Sequence, residues 1–434
     1  MSFSSPGHRI LRRSISGHEG EWVKSFDPPA ASPPTPEYLN PTNPVPAFIA
    51  RTVKDAKMKI NNTVSLDLMR TQDIKMWNGK ELEFFLIACS DVKEADKGTF
   101  PALTIRIPRG VVFHAFVEGG GQTPHTIHWH GIEPSSMNDG VGHTSMEIGE
   151  YRYQWQPNHI GSYFYHCHRN TAQHFEFGLY GFLIVEPPDA FVGPNAGGYP
   201  RRTAANLSEF PEFPGFNSSD IELGDPHAMT VPYDVEALWV IDDIDSAWRE
   251  QAHHAHQAFA KHGTQPGVND EFRTNDRGSE NFFAFHDYNP DYFVVTGKDF
   301  PGVIGSTVGI SKALTIPRAL NSGVEGMQIS INAKVNQTIL VRLLCAAYSR
   351  IKVTFPVDVI VIAADGRALG VPPYGKYNHA YKVSAGTPIE MTTAQRIDVL
   401  FKPTSPLDTY AQIEFRHLLS NSFLLNGRIP IEIK

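Results

Sequence analysis

Two short segments of the chain hold residues whose types and spacing could bind a metal ion. The segments are TPHTIHWHG and YHCHRNTAQHFEFGLYG, and their candidate ligands are His125, His128, His130, His166, Cys167, His168 and His174. Imidazole nitrogen and thiolate sulfur are common ligands of transition metals. One His-x-His pair in a strand is commonly polar surface, but two such pairs, one of them enclosing a cysteine, indicate a metal site.

Strand geometry sorts these ligands into two groups. Side chains of a strand alternate between its two faces with a period of two. In each His-x-His pair the two histidines therefore share one face, whereas His125 and Cys167 point to the opposite face. Pairing the two strands predicts two adjacent sites, one with His125 and Cys167 and one with four histidines. Cys167 would link them, because both of its sequence neighbours belong to the second site.

The ligand set around Cys167 favours copper. A thiolate with two imidazoles is the ligand set of a blue-copper electron-transfer centre. His174 follows Cys167 by seven residues, across a predicted short loop, and is the natural second imidazole beside His125. Zinc is the alternative metal, although a single cysteine among His-x-His pairs does not match the usual CxxC or HExxH spacings.

These motifs resemble those of the multicopper oxidase family, the laccases and ferroxidases built from cupredoxin domains. HTIHWHG resembles the family's HPxHLHG motif, and HCHRNTAQHFEFGL resembles its HCHxxxHxxxGM/L motif. GLYGFLIVEPP is similar to the strand that ends such a domain. VIAADGRAL and TTAQRIDVLFKP are similar to the copper-free middle domain of laccases. The resemblance covers residues 95–434, and its most specific motifs lie in the first half.

The resemblance implies a role for each candidate ligand. It implies that type 1 copper is bound by His125, Cys167 and His174. It implies that type 2 copper is bound by His128, and that the type 3 coppers are bound by His130, His166 and His168. These roles predict a copper cofactor that carries the redox chemistry, while the protein sets its potential and access.

Two further residues gain a predicted role from the same resemblance. Leu179 falls at the axial position of type 1 copper, where a non-coordinating side chain is expected to raise the reduction potential. Asp139, in an Asp-Gly turn after HWHG, matches an acidic residue that the family uses in proton delivery. The competing interpretation of Asp139 is a plain turn residue.

Two features depart from the family's pattern. The segment between Cys167 and His174 is two residues longer than in laccases. A trinuclear cluster in this family uses eight histidines from two domains, and this chain offers four, all in one domain. A complete type 2 and type 3 cluster is therefore expected to pool ligands between subunits. Two copies facing across a symmetry axis would supply them, as would a partner subunit of another type.

The remaining histidines and cysteines carry weaker signals. The stretch His253–His262, HHAHQAFAKH, is either an extra metal site or a solvated helix face. His379 and His417 stand alone. Cys89 and Cys345 lie in apolar runs, where burial as small hydrophobic residues is expected.

The sequence around these motifs predicts an all-β protein that positions them. Short runs rich in Val, Ile, Phe and Thr alternate with turn signals, as in β-sandwiches. We expect two cupredoxin-like Greek-key β-sandwich domains behind a Pro-rich N-terminal arm. The predicted boundaries are 1–54 for the extended arm, 55–190 for the copper-binding domain, 191–225 for a linker, and 226–434 for a second domain without a copper motif.

Composition restricts the partners and the location of the chain. Its net charge of −8 offers no basic field for nucleic acid. No run reaches the roughly 18 apolar residues of a membrane span. The N-terminus lacks the apolar stretch of a secretory signal, although Arg12 and Arg13 resemble a twin-arginine pair. The expected location is extracytoplasmic, periplasmic or secreted, with the cell interior as the alternative.

The favoured function is one-electron oxidation of a phenolic or metal-ion donor at type 1 copper, coupled to reduction of O2. A nitrite-reductase-like enzyme is one alternative, but such enzymes carry Asp where this chain has His128, and HCA-like sequence where it has HCH. A copper-binding electron-transfer protein without oxidase activity is the other alternative. It would account for the half set of histidines.

Overall fold

The described part of the protein is almost entirely β-structure. The computed structural model describes residues 63–89, 97–108, 112–119, 125–132, 134–141, 150–157, 159–169, 171–186, 201–203, 230–250, 288–300, 314–315, 329–369 and 380–434. The predicted N-terminal arm, the stretch His253–His262 and His379 lie outside these residues. Among the described helices, none is long and apolar enough to cross a membrane.

The described part of the first sandwich consists of two four-stranded sheets, one short α-helix and a 3-10 helix at Ser136–Asn138. Its elements are β1 (Thr63–Lys75), β2 (Glu81–Cys89), β3 (Ala102–Pro108), β4 (Phe113–Gly119), β5 (His128–His130), β6 (Glu150–Trp155), β7 (Gly161–His166), α1 (Thr171–Glu176) and β8 (Tyr180–Glu186). The strand orders are β2-β1-β4-β6 and β3-β8-β7-β5. Neighbours that are not consecutive in the chain, such as β3 and β8, require connections that cross over the sandwich.

The second sandwich follows a two-stranded ribbon. The ribbon pairs β9 (Arg201–Thr203), inside the predicted linker, with β10 (Thr230–Pro232). The remaining strands are β11 (Val235–Ile244), β12 (Tyr292–Val295), β13 (Lys298–Asp299), β14 (Leu314–Thr315), β15 (Ile331–Ala333), β16 (Ile339–Cys345), β17 (Arg350–Thr354), β18 (Val359–Ala364), β19 (Arg367–Ala368), β20 (Tyr381–Val383), β21 (Pro388–Met391), β22 (Arg396–Phe401), β23 (Leu407–Arg416) and β24 (Phe423–Ile433).

These strands form two sheets around one apolar core. One sheet has the order β13-β12-β11-β16-β22-β18-β19 with β20 on β18, and the other has β14-β24-β23-β17-β21 with β15 on β24. Trp239, Val341 and Ile413 lie in the core between them with no exposed surface. Cys345 lies in the same core and Cys89 in the core of the first sandwich, so the expected burial of both cysteines is confirmed.

The two sandwiches share a third apolar cluster. Alternate residues of β8 point in opposite directions, so that Leu183 enters the core of the first sandwich while Phe182 faces the second. Leu238 and Leu344 of the second sandwich pack against Phe182. Both faces of β8 are therefore buried. This explains why its sequence is a continuous apolar run and not an alternating one.

A buried ion cluster also joins the sandwiches. Arg342 Nε donates to Glu236 Oε1 at 2.6 Å, and Arg106 of β3 binds the other carboxylate oxygen of Glu236. Ser162 of β7 donates to Asp398 Oδ1 at 2.6 Å and accepts from Arg342 at 3.0 Å. Burial raises the pKa of Glu236, but the attraction of the two arginines outweighs it and brings the pKa to about 2. The carboxylate is thus ionised at neutral pH.

The predicted fold class is confirmed. The protein is all-β, with two β-sandwiches, and both histidine motifs lie in the first. The local prediction around Cys167 needs a correction. The segment expected to be a short loop contains the helix α1, because its Thr-Ala-Gln-His-Phe-Glu run closes one helical turn that packs against the second sandwich.

Candidate metal centre

Two neighbouring strands bring the histidine motifs together. β5 pairs antiparallel with β7, and His128 lies opposite His166 while Trp129 lies opposite Tyr165. Trp129 points into the core and has no exposed surface, so the side chains of His128 and His130 must take the other face. β5 is the edge strand of its sheet. The four histidines therefore lie on one face near the sheet edge, with His166 buried.

The first group of ligands converges on Cys167. Its Sγ lies 3.2 Å from His174 Nδ1 and 3.6 Å from His125 Nδ1. The two imidazole rings have their centroids 4.7 Å apart. All three side chains are buried. One sulfur and two nitrogens thus face a common point that water does not reach.

The backbone around α1 holds these ligands in place. The N–H of Cys167 donates to the carbonyl oxygen of Leu179 at 3.0 Å, and the N–H of Leu179 donates to that of His174 at 3.0 Å. Gly178, between the helix and Leu179, has a φ of +106°, which a residue with a Cβ rarely adopts. The chain therefore turns back after α1, and Leu179 returns to the side of Cys167.

The second group of ligands forms a face of four imidazoles. The donor atoms of His128, His130 and His166 all lie within 4.8 Å of one another. Nδ1 of His130 and Nε2 of His166 are 3.3 Å apart. The ring of His168 lies 5.2 Å from that of His128 and 5.8 Å from that of His166. The ligand atoms of three predicted histidines thus converge, and the ring of the fourth, His168, lies beside them.

Burial keeps this face ready to bind a cation. Burial, followed by the charges of Arg396, His128 and His168, lowers the pKa of His130 to about 3. Burial also lowers the pKa of His166 well below its ordinary value. Burial and the neighbouring His128 lower the pKa of His168. These three imidazoles are neutral at neutral pH and keep the lone pair that a metal needs.

Asp139 lies beside the face and fixes one of its rings. Nδ1 of His128 lies 2.8 Å from the carbonyl oxygen of Asp139 and 3.1 Å from its Oδ1. If Nδ1 of His128 carries the proton and donates it in a hydrogen bond to Asp139, Nε2 keeps the lone pair that can bind a metal. The following Gly140 has a φ of +72°, and a Cβ there would lie 1.7 Å from the carbonyl oxygen of Ile127. The turn requires glycine.

Both groups of ligands fit copper by their chemistry. A buried thiolate with two imidazoles suits a metal that exchanges single electrons, and a carboxylate-free set of imidazoles suits copper or zinc. The backbone joins the two groups at the end of β7, because Cys167 directly follows His166. Nδ1 of His166 lies 2.9 Å from the carbonyl oxygen of Cys167. This contact ties the two groups together.

Several residues of the site carry no signal in the sequence. Arg396 of β22 lies with its guanidinium carbon 5.4 Å from the ring of Phe164, and that ring stacks on His130 at 4.2 Å. Arg249 contacts the buried side chain of Glu176, the last residue of α1, at 3.4 Å. Arg396 and Glu176 lie in segments quoted above for their resemblance, but that resemblance gives them no role, and no motif surrounds Arg249. Only the packing of the second sandwich on the first brings them to the site.

His417 does not join either group of ligands. It is the one described histidine of the second sandwich, and its Nε2 donates to the carbonyl oxygen of Tyr288 at 3.0 Å. Its Nδ1 lies 3.0 Å from Ser420 Oγ. His417 therefore has a structural role at the turn between β23 and β24.

Comparison with known proteins relates the first sandwich to a known protein family. Residues 95–190 match the family model described as multicopper oxidase. Over 99 residues the chain is 34% identical to L-ascorbate oxidase of Cucumis sativus, a match that covers 21% of this chain and 16% of that protein. The chain thus aligns with about a sixth of the length of this relative.

Solved structures share the architecture of both sandwiches. The multicopper oxidase mgLAC is 18% identical, with a TM-score of 0.51 and 86% of each chain covered. The blue copper oxidase from Nitrosomonas europaea is also 18% identical, with a TM-score of 0.51, 86% of this chain and 85% of that chain covered. At this level of identity the likeness shows the fold, two cupredoxin-like β-sandwiches.

Proposed function

Because residues 95–190 match the multicopper oxidase family, we propose that this chain oxidises a donor by single electrons at His125, Cys167 and His174. It then delivers the electrons to O2 at the four-histidine face. The observation that carries the proposal is the register of β5 and β7. It places His128 opposite His166, whose next residue is Cys167. The backbone thus connects Cys167 of one group directly to His166 and His168 of the other, and strand pairing brings His128 beside His166.

Copper, when bound, supplies the one-electron chemistry that no side chain of this set can perform alone. The residues of the chain control how that chemistry proceeds. The sulfur of Cys167 is fully buried and His125 and His174 nearly so, which excludes water and keeps the reorganisation of the ligands small. Asp139 orients His128, and its carboxylate keeps 28% of its surface exposed, so it can exchange protons with solvent beside the face.

The four-histidine face supports a site shared between chains. The side chain of His128 keeps 17% of its surface exposed, and the face lies on an edge strand, where another chain can approach. Within the described residues, the second sandwich brings no further histidine to it, since His417 bonds elsewhere. We therefore propose that a second copy of this chain, or a subunit of another type, supplies the remaining ligands.

The donor is proposed to be a phenol or a reduced metal ion. His125 and His174 are both buried, so an electron enters through the side chains that cover them and not by direct contact with a ligand. We propose an extracytoplasmic location, where such donors and O2 meet. A copper-binding electron carrier is the second candidate, and the half set of histidines is the observation that favours it.

Metal content, spectra and O2 uptake of the copper-loaded protein test the proposal together. We expect an intense visible band that Cys167→Ser abolishes, more than one copper per chain, and a native mass above that of a monomer. We also expect O2 uptake with a phenolic or Fe(II) donor. A coloured monomer with one copper per chain and no uptake would show an electron carrier. A Cys167→Ser variant with parental colour and copper content would refute the site itself.

A further inference from the structure

We propose that Arg249, contributed by the second sandwich, is a positioning residue that fixes His174 against Cys167. The inference rests on the proposed role of these two residues as copper ligands. It means that the second sandwich, which carries no copper motif, helps to set the reduction potential of the copper proposed for the first sandwich.

Arg249 is placed by a capped helical turn at the end of β11. Residues 246–250 are helical, and the N–H of Trp248 donates to Asp245 Oδ1 at 2.9 Å. The N–H of Arg249 donates to the carbonyl oxygen of Asp245 at 3.0 Å. An aspartate at this position satisfies an otherwise unpaired N–H of the first turn. The turn therefore begins at a defined residue and directs Arg249 toward the first sandwich.

The guanidinium of Arg249 binds two segments of the first sandwich at once. One terminal nitrogen donates to the carbonyl oxygen of Glu83 in β2 at 2.8 Å. The other donates to the carbonyl oxygen of Glu176, the last residue of α1, and Nε donates to Glu176 Oε1 at 3.4 Å. The guanidinium carbon lies 4.1 Å from the ring centroid of Phe84 and 5.1 Å from that of Phe177.

These contacts make Arg249 the cap of a helix that needs one. The last carbonyl groups of a helix lack partners within it. In α1 the carbonyl oxygens of Gln173, His174 and Phe175 accept backbone N–H groups from the following turn. That of Glu176 accepts from Arg249. A helix of six residues has little stability of its own, so its position depends on such contacts.

The position of α1 in turn decides where His174 lies. Phe177 stacks on Phe85 at 4.5 Å, and the N–H of Phe85 donates to the carbonyl oxygen of Phe177 at 2.8 Å. The rings of Phe85 and His174 are nearly perpendicular, with their centroids 6.2 Å apart. The guanidinium of Arg249 also lies over the ring of Phe177. Its removal would release the end of α1 from β2 and allow His174 to move relative to Cys167.

Two variants separate positioning from charge. Arg249→Met removes the guanidinium and its charge. Arg249→Lys keeps the charge, but a single ammonium cannot donate to the carbonyl oxygens of Glu83 and Glu176 in the same planar geometry. Arg106→Met is the matched control, because Arg106 also pairs with a buried carboxylate across the two sandwiches, that of Glu236 in β11. All three variants are studied as full-length, copper-loaded protein.

The reduction potential and the copper hyperfine splitting are the readouts. We expect both Arg249 variants to change the equilibrium constant for copper reduction at least about threefold, which is about 28 mV at 59 mV per decade, and to alter the splitting. Arg106→Met should match the parent. Parental values in both Arg249 variants, a change in Arg249→Met alone, or an equal change in Arg106→Met would each overturn the proposal.

A measurement on the metal-free protein tests the positioning role of Arg249 independently of whether Cys167 binds copper. Alkylation of each cysteine is followed by peptide mapping, with the buried Cys89 and Cys345 as internal references. We expect Cys167 to react about tenfold faster in Arg249→Lys than in the parent or in Arg106→Met, because the end of α1 opens. Equal rates would refute positioning. A parent that binds no copper would refute the proposed function, whatever these rates are.

Discussion

Leu179 and Cys167 are joined by a backbone hydrogen bond of 3.0 Å, from the N–H of Cys167 to the carbonyl oxygen of Leu179. Leu179 also donates its own N–H to the carbonyl oxygen of His174 at 3.0 Å. The residue at position 179 is thus tied to two of the proposed copper ligands, and its side chain is fully buried. We therefore expect a change of this side chain to alter the surroundings of the proposed copper while these backbone hydrogen bonds are kept.

We predict that Leu179→Met lowers the reduction potential of the copper bound near Cys167. A thioether sulfur at this position would stabilise the oxidised metal, and the swap nearly conserves volume. We expect a shift of at least about 59 mV, a tenfold change in the equilibrium constant. Redox titration measures it, with Leu183→Met in the same core as the control. An equal shift in both variants would contradict the axial placement.

The ion cluster between the sandwiches predicts a specific acid sensitivity. The pKa of Glu236 is held at about 2 in the folded protein, below its ordinary value near 4.3. Its stabilising effect is therefore complete above about pH 4.3 and is lost as the pH falls toward 2. Glu236→Gln should lower the free energy of unfolding by about 3 kcal/mol at neutral pH, since two arginines lose their counter-charge.

Denaturant unfolding at several pH values checks the effect of Glu236→Gln. The difference from the parent should shrink steadily below about pH 4. Glu390→Gln is the control, because Glu390 pairs with Arg350 and Lys352 at the surface. Such exposed pairs contribute less than about 1 kcal/mol. A loss in Glu236→Gln that does not depend on pH would show that packing, and not charge, is responsible.

Asp242 predicts a pH dependence of the free energy of unfolding with a sign opposite to that of Glu236. Burial, and then the charge of Asp243, raises the pKa of Asp242 to about 7. The folded protein therefore holds a proton that the unfolded chain releases, and stability is lost as the pH rises from about 4 to 7. Asp242→Asn should raise the free energy of unfolding by about 2 kcal/mol at pH 8 and leave it unchanged near pH 4.

The hydrogen bonds of Asp242 allow this substitution. Its Oδ2 accepts from the hydroxyl of Tyr180, which can instead accept from an amide, and its Oδ1 accepts from the N–H of Asp243. Thermal unfolding at the two pH values is the measurement. Asp358→Asn, where Lys382 and the N–H of Ala385 lower the pKa of Asp358, should show no gain at pH 8. A destabilised Asp242→Asn at pH 8 would contradict the prediction.

The position of Gly140 predicts that its substitution removes copper selectively from the four-histidine face. A Cβ at this position would lie 1.7 Å from the carbonyl oxygen of Ile127, so Gly140→Ala must displace the turn that brings Asp139 to His128. We expect fewer coppers per chain, with the visible band of Cys167 retained. Gly386→Ala is the matched control, because its φ of +78° is similar but nothing lies within 4 Å of the added Cβ.

The two variants differ in the size of the expected destabilisation. Gly386→Ala carries backbone strain alone, about 1 kcal/mol. Gly140→Ala adds a backbone clash and should cost several times more. Copper analysis and thermal unfolding of both variants decide between strain and clash. If both lose copper equally, the turn at Asp139 does not serve the face.

The ligands were predictable from the sequence because they belong to short segments with a fixed geometry. Alternation of side chains along β5 and β7 depends only on extended backbone, so the separation of Cys167 from its neighbouring histidines followed from the spacing. The helix α1 was missed because its apolar face packs on the second sandwich. The structure brings all seven predicted ligands into two groups, while the metal that each group binds stays a prediction.

The sequence by itself determined the donor atoms, their division into two groups and the β-sandwich that holds them, since each of these depends on residue type and on a local period. Only the tertiary structure decided what surrounds those donors. Arg396 and Arg249 reach the first sandwich from residues far away in the chain, and the run of Tyr180–Glu186 is buried on both faces because a second sandwich covers it. Such contacts depend on how two separate cores pack together, and no local pattern in either segment encodes that.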